Sequence, residues 1–265
     1  MKYKIKILHL YPDAMNLYGD YGNILTLKKR CEWRGIGVEV EEISVGDKAH
    51  FEDIDLIFLG GGQDRGQSHI ASDLQMRAPK IKEEIEKGMV ALTVCGGFQL
   101  FGKYFKTATG ENIPGIGVFD AWTEAGSKRL IGNVIVDCRK TSSDWVLSEH
   151  FNSQETLHTT LVGFENHSGR TFLGQNTKPL GQIIKGLGNI GDGSFEGAVY
   201  KNAFGTYLHG PILPKNPWFA DHLIISALKR RYDTYIELKP LDDGLEKMAH
   251  EFAKIRAHNS KSASI

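Results

Sequence analysis

One apolar strand that ends in a cysteine and two glycines constrains this chain more than any other segment. Residues 89–94 are mostly apolar, Cys95-Gly96-Gly97 follows, and residues 98–104 have helical spacing. A strand that passes into a helix through two glycines predicts a tight turn, because residues with a Cβ resist that backbone. The turn places Cys95 at the carboxyl edge of a sheet, where open α/β proteins bind their ligands.

Strand and helix patterns alternate in the first hundred residues. Residues 4–10, 38–43 and 55–59 have the pattern of buried strands, and the last of them runs straight into a glycine triplet at residues 60–62. The helix predicted after these glycines is interrupted at Pro79. The alternation predicts an α/β fold with a mostly parallel sheet flanked by helices.

The second half of the chain has a different pattern. Between residues 129 and 209, short β-type runs are separated by glycine, asparagine and serine, which predicts added antiparallel strands. No segment has the composition of a linker, so we expect a single domain over residues 1–240. Residues 241–265 are expected to form a C-terminal helical extension with a frayed end.

Charge and cysteine content exclude several classes of protein. The 265 residues include 32 Lys and Arg and 32 Asp and Glu, so the formal net charge is zero and no basic field would gather nucleic acid. The three cysteines are an odd number without a close pair, which argues against a disulfide framework or a zinc site and favours a reducing, cytoplasmic compartment. Neither a transmembrane segment nor a signal peptide is predicted.

Cys95 is the candidate nucleophile. A helix N-terminus favours the thiolate, and a thiol near neutral pH needs that help together with a base. The alternative is a buried, inert cysteine, because free cysteines are often core residues. Core packing alone has no use for a tight glycine turn, so the pattern favours the reactive role. Cys31 lies in a helical apolar stripe and Cys138 ends a strand without such a turn, and both are expected to be structural.

Two further segments complete a hypothetical site. His209 ends an apolar run just before Gly210-Pro211, and an imidazole there is suited to take the thiol proton and pass it to a leaving amine. Most of the ten histidines are expected to be ordinary surface or core residues. The backbone N–H groups of Gly61 and Gly96 are predicted to form an oxyanion hole, provided that their two strands are neighbours.

These segments resemble a known family. The motifs Cys95-Gly-Gly-x-Gln99 and Leu208-His-Gly210 are similar to those of the class I glutamine amidotransferases, in the branch shared with cobyric acid synthase. Segments 9–23 and 163–171, with their Tyr-Pro-Asp and Phe-Glu-Asn-His sequences, narrow the resemblance to the glutaminase subunits of lipid II isoglutaminyl synthase. The resemblance covers about residues 4 to 230 and implies a flavodoxin-like fold.

The resemblance also implies a reaction and a partner. Cys95 would attack the side-chain amide of L-glutamine, His209 would protonate the departing ammonia, and water would release glutamate from the thioester. Ammonia would pass, within a heterodimer, to a MurT-like Mur ligase that amidates the α-carboxylate of D-glutamate in lipid II during peptidoglycan synthesis. ATP and magnesium are expected on that partner, and no cofactor or metal in this chain. Arg129 would hold the substrate's carboxylate, and Gln99 would contact its backbone groups.

One part of the family pattern is missing. Classical members carry a glutamate two residues after the histidine, where this chain has Pro211. The group that orients His209 is therefore a carboxylate elsewhere in the chain, a backbone carbonyl, or an acidic residue of the partner. Asn166 and His167 belong to the resemblance, but the sequence assigns them no role.

Two other functions stay open. One is a glutaminase that delivers ammonia to a corrinoid-type or other acceptor, and the other is a non-catalytic subunit that only docks a ligase. A dinucleotide-binding fingerprint at residues 186–191 precedes another strand-like run instead of a helix, so it predicts a glycine-rich hairpin. The retained Cys95, His209 and glycine triplet favour the glutaminase.

Overall fold

The computed structural model describes residues 2–140 and 159–265, which form helices and two β-sheets. The helices are α1 (Tyr21–Glu32), α2 (Asp64–Glu86), α3 (Gly96–Phe101), α4 (Pro217–Tyr232) and α5 (Gly244–Asn259). The strands are β1 (Lys4–Leu10), β2 (Gly37–Ile43), β3 (Leu56–Leu59), β4 (Val90–Val94), β5 (Tyr104–Lys106), β6 (Asn112–Pro114), β7 (Ala121–Asp137), β8 (Thr160–Leu173), β9 (Gly181–Lys185), β10 (Phe195–Glu196), β11 (Ala198–Tyr200), β12 (Ala203–Thr206) and β13 (Ala263–Ser264).

The first sheet has the strand order β11-β12-β4-β3-β1-β2, and only the β11–β12 pair is antiparallel. Strands β3, β4 and β12 are buried along their whole length, as expected where helices cover both faces of a parallel sheet. Leu59 is in register with Thr93, and Val94 with Thr206, so these three strands end together. The loops that follow them meet at one edge of the sheet.

The second sheet is mostly antiparallel. Its longest strands are β7 and β8, which pair over most of their length on both sides of a bulge between Ala125 and Leu130. Strands β9 and β10 extend the sheet on one side of β7, and β5 and β6 on the other. The predicted α/β class with added antiparallel strands is confirmed, although the added strands form a sheet of their own because β7 begins at Ala121 and offers them a long edge.

Three local predictions differ from the structure. Pro79 does not interrupt α2, since apolar residues on both sides of it are buried in the core. The helix after Cys95 begins at Gly96 and gives way to β5 at Tyr104. The C-terminal end is not frayed throughout, because α5 is followed by β13, which pairs with β7. No helix of the described residues has the length and apolar character needed to cross a membrane.

Candidate active site

The turn after β4 holds Cys95 in a backbone conformation that favours glycine. Its φ is +52° and its ψ is −107°, and its N–H donates to the Thr206 carbonyl of β12 over 2.8 Å. Gly97 is required beside it, because a Cβ there would lie 2.5 Å from the Leu59 carbonyl oxygen. Helix α3 begins at the next residue, so the sulfur lies at a helix N-terminus.

Three side chains converge on Gly61. A Cβ built on this glycine would lie 3.0 Å from Cε1 of His209, 3.2 Å from Oδ2 of Asp20 and 3.4 Å from Cβ of Cys95. The thiol, the imidazole and a carboxylate therefore surround one point. The position has no room for a side chain unless these neighbours shift, which explains the central glycine of the triplet.

Asp20 is the carboxylate beside His209. Its Oδ1 lies 3.4 Å from Nδ1 of His209, both residues are buried, and Nε2 of the imidazole has no hydrogen-bond partner in the described part of the chain. Burial alone would lower the pKa of His209, but the Asp20 carboxylate and the Cys95 sulfur raise it well above its usual range. The sequence left three kinds of group that could orient His209. The structure has one of them, a carboxylate of this chain, at Nδ1 of the imidazole.

The same carboxylate changes the predicted oxyanion hole. The N–H of Gly61 donates to Oδ2 of Asp20 over 2.7 Å, so it is not free to bind an oxyanion, contrary to the sequence prediction. The N–H groups of Gly62 and Gly96 have no partner among the described residues. They are neighbours, because a Cβ on Gly96 would lie 2.9 Å from the Gly62 nitrogen. These two donors beside Cys95 are the better candidates.

A pocket of about 370 Å³ opens beside Cys95. Arg129 of β7 and Asn166 of β8 line it from the second sheet. Arg129 Nε donates to Asn166 Oδ1 over 2.5 Å, and Nη2 to the Asn166 carbonyl over 3.4 Å, whereas Nη1 has no partner within the described residues. The guanidinium is thus held at the pocket with a donor to spare for a carboxylate.

Gln99 lies in a buried chain of polar side chains. Its Oε1 accepts from Nε2 of Gln67 over 3.0 Å, and its Nε2 donates to the Tyr207 hydroxyl over 3.1 Å. The Tyr207 hydroxyl lies 2.6 Å from Thr171 Oγ1 of β8. Gln99 therefore lines the pocket with its carboxamide fixed by two other residues, and its contact with the backbone groups of glutamine stays a prediction.

Two acidic groups and a histidine are buried behind the site. Burial raises the pKa of Glu196 to about 8 and that of Glu165 to about 7, although Glu196 accepts a hydrogen bond from one backbone N–H group and Glu165 from two. Burial lowers the pKa of His167 to about 3; its Nδ1 lies 2.8 Å from the Gly169 carbonyl oxygen, and its ring stacks on Tyr207. Glu196 and His167 therefore favour their neutral forms near pH 7.

The glycine-rich segment at residues 186–191 forms a hairpin. Residues 186–191 connect β9 to β10, which pair in antiparallel fashion, so the predicted glycine-rich hairpin is confirmed. Its N–H groups at Leu187 and Gly188 donate to the Glu165 carboxylate. Across residues 2–140 and 159–265, no three His, Cys, Asp or Glu side chains are grouped so that they could hold a metal ion.

The structure thus brings together Cys95, Gly61, Gly96, Gln99, Arg129 and His209, which the sequence had proposed for one site. Cys31 and Cys138 are buried elsewhere, and burial raises the pKa of both thiols.

Sequence reasoning missed Asp20. The available signal was an acidic residue in the irregular segment that follows β1, at the same edge of the sheet. That signal is weak without knowledge that β1 lies next to β3.

Comparisons with known proteins show the family and the fold. The chain belongs to the CobB/CobQ-like glutamine amidotransferase domain family, whose model matches residues 6–217. A glutamine amidotransferase of Thermotoga maritima has the same fold, with a TM-score of 0.51 and 17% identity over 96% of this chain and 95% of that one.

Two relatives identify a subgroup within this family. The GatD subunit of the glutamine-hydrolysing lipid II isoglutaminyl synthase of Streptococcus pneumoniae R6 is 40% identical over 257 residues, 96% of this chain and 93% of that protein. The GatD subunit of Staphylococcus aureus N315 is 38% identical over 261 residues, 98% and 99% of the two chains. Within the family, the chain therefore groups with the GatD subunits, as its motifs predicted.

Proposed function

We propose that this chain is the glutaminase subunit of a lipid II isoglutaminyl synthase, which releases ammonia from L-glutamine through Cys95 and His209. The observation that carries the proposal is the convergence of Cys95, His209 and Asp20 on Gly61, beside a pocket with an arginine on its wall. The similarity to GatD subunits over nearly the whole chain supports the same function.

The first half of the reaction forms a thioester. Because the pKa of His209 is raised, its imidazole holds the proton of the Cys95 thiol as an imidazolium, and the sulfur attacks the side-chain carbonyl carbon of glutamine. The negative charge that develops on the carbonyl oxygen is stabilised by the N–H groups of Gly62 and Gly96, and the loss of one such donor costs about 3 kcal/mol of barrier in other enzymes. The imidazolium then gives its proton to the nitrogen, the C–N bond breaks, and ammonia leaves.

The second half regenerates the thiol. His209, neutral again, removes a proton from a water molecule, which attacks the γ-glutamyl thioester carbon. The C–S bond breaks, the sulfur recovers its proton from the imidazolium, and glutamate leaves. Asp20 keeps Nδ1 of the imidazole oriented and stabilises the imidazolium in both steps.

The acceptor of ammonia belongs to a second subunit in this proposal. A MurT-like Mur ligase forms a heterodimer with the chain and uses ATP and magnesium to activate the α-carboxylate of D-glutamate in lipid II. The reaction then takes place in the cytoplasm, where ATP is available. The name of the related enzymes, which describes GatD as a subunit, supports the presence of a second subunit.

The test has two parts. Glutamate release is measured for the parent, Cys95→Ala and Cys31→Ala, each alone and co-purified with the ligase. Cys31→Ala is the matched control, because Cys31 is buried away from the site. We expect Cys95→Ala to abolish release and Cys31→Ala to retain it. Glutamine- and ATP-dependent amidation of a lipid II analogue is then measured for the complex.

The outcomes separate the alternatives. Equal glutamate release by the parent and Cys95→Ala leaves only a docking role for the chain. Cys95-dependent release without amidation by an active ligase indicates a different ammonia acceptor. Release that depends on Cys95, together with amidation of the analogue, supports the whole proposal.

A further inference from the structure

Asn166 connects two parts of the pocket through a single carboxamide. Its Oδ1 accepts from Arg129 Nε over 2.5 Å, and its Nδ2 donates to the Tyr18 hydroxyl over 2.8 Å. Arg129 lies on β7 of the second sheet, whereas Tyr18 lies in the segment between β1 and α1. One side chain thus bridges the two walls of the pocket.

Tyr18 contacts the imidazole directly. Its ring packs edge-on against His209, with the ring centres 4.8 Å apart. The backbone of Tyr18 has a φ of +55°, a region that favours glycine, and the side chain is 49% exposed. Packing alone gives little support to such a residue, so the bond from Asn166 is a substantial part of what keeps the ring in place.

Arg129 depends on the same carboxamide. The residue is exposed, and all the hydrogen bonds that hold its guanidinium in the described chain go to Asn166, one to the side chain and one to the carbonyl. Without the Oδ1 acceptor, a long exposed side chain regains rotamer freedom, and binding a carboxylate must then restrict it again.

We propose that Asn166 is a positioning residue for glutamine. It fixes the guanidinium of Arg129 for the substrate's carboxylate and, through the Tyr18 hydroxyl, holds the Tyr18 ring against His209. The inference rests on the proposed glutaminase function. Asn166 thereby links Arg129, which recognises the substrate on the second sheet, to the imidazole of His209 beside the first sheet.

The experiment compares Asn166→Ala, Tyr18→Phe and the double variant in the complex with the ligase subunit. We expect Asn166→Ala to raise the KM for glutamine about tenfold while kcat changes less than threefold, the pattern of lost ground-state binding. Tyr18→Phe removes only the acceptor hydroxyl and should raise KM about twofold to threefold. Because both act through one bond, the double variant should match Asn166→Ala.

Binding is measured separately from catalysis. Isothermal titration with L-glutamine uses the Cys95→Ser variant, which cannot turn over, with and without Asn166→Ala. We expect affinity to fall about tenfold, in parallel with KM. The control is Asn112→Ala, an exposed asparagine on β6, which should leave KM and affinity unchanged. Tyr18→Phe alters an exposed residue, so it tests the bridge even if Asn166→Ala does not fold.

The outcomes are distinguishable. If the parent neither binds nor hydrolyses glutamine, the proposed function fails and the inference with it. If the parent does both and Asn166→Ala stays within twofold of it in KM and affinity, the inference alone is overturned. Effects of the two single substitutions that multiply in the double variant also overturn it, because they would then act independently.

Discussion

The reacting side chains lie in buried segments at one edge of the parallel sheet, whereas the recognition side chains lie on the antiparallel sheet and reach the surface. Cys95, Asp20 and His209 are almost completely buried in the segments that follow the parallel strands β4, β1 and β12. Arg129 on β7 is exposed, and Asn166 on β8 is half-buried. Chemistry therefore depends on positions fixed by the fold, and recognition on positions fixed by individual hydrogen bonds.

This difference predicts that substitutions in the two regions change different kinetic constants. Groups on the parallel sheet should mainly control kcat, and groups on the antiparallel sheet should mainly control KM.

His209→Gln should have the largest effect. Loss of the general base and acid should lower kcat for glutamine hydrolysis by about 10⁴-fold. Affinity for glutamine in the Cys95→Ser background should change less than threefold, because Arg129 lies on the other sheet. The control is His69→Gln, an exposed histidine on α2. A large loss of affinity in His209→Gln would show that the division between the sheets is wrong.

Asp20→Asn should lower kcat by about 10²-fold. Asparagine retains an acceptor for the Gly61 N–H but removes the charge that raises the pKa of His209. The imidazolium should therefore lose its proton at a lower pH, and the alkaline limb of the pH profile of kcat/KM should move to lower pH. Asp13→Asn, an exposed change in the same segment, should leave the profile in place. An unshifted limb in Asp20→Asn would mean that another group orients His209.

Arg129→Ala should raise KM about thirtyfold with kcat within a few-fold of the parent, since charge-assisted bonds to a carboxylate contribute on the order of 2 kcal/mol. Lys128→Ala removes the same charge from the neighbouring exposed position and is the matched control. Equal effects of the two substitutions on KM would indicate a general electrostatic attraction instead of a specific contact.

Glu196→Gln should have the smallest effect of these substitutions, and the effect is on stability. It tests the contact between the two sheets. Glu196 belongs to β10 of the second sheet and accepts hydrogen bonds from the Tyr207 N–H and the Thr206 hydroxyl at the end of β12. Its pKa is raised from 4.5 to about 8 in the folded chain, so the free energy of unfolding should fall as pH rises from about 4.5 to 8. Glutamine resembles the protonated carboxyl group and should remove that dependence.

The measurement is the melting temperature between pH 5 and pH 8. The variant should match the parent at pH 5 and exceed it at pH 8 by on the order of 5 °C. Parallel curves for the two proteins would contradict the assignment of this pH dependence to Glu196.

The parts of the site that the sequence predicted share a simple local signal. Cys95 and His209 each end an apolar run and precede glycine, and the carboxyl ends of neighbouring parallel strands meet at one edge. Periodicity and turn residues are enough to find such positions. The class of fold and the family were predicted for the same reason, because strands, glycines and short motifs are local features.

The parts that were missed depend on contacts between distant segments. Asp20 lies in an irregular segment, and its place beside His209 follows from the order of strands in the sheet, which a single sequence does not give. The sequence did not reveal that the N–H of Gly61, one of the two predicted oxyanion donors, donates to Asp20, and the reason is the same. The second sheet was recognised as antiparallel runs, but not as a separate sheet.

The contact between Asp20 and His209 joins residues 189 positions apart. During translation, Asp20 and Cys95 are synthesised long before His209. A nascent or prematurely terminated polypeptide therefore carries the sulfur without its base, and it should not consume cellular glutamine. Hydrolysis begins only when most of the polypeptide has been made and both ends of this contact have folded together.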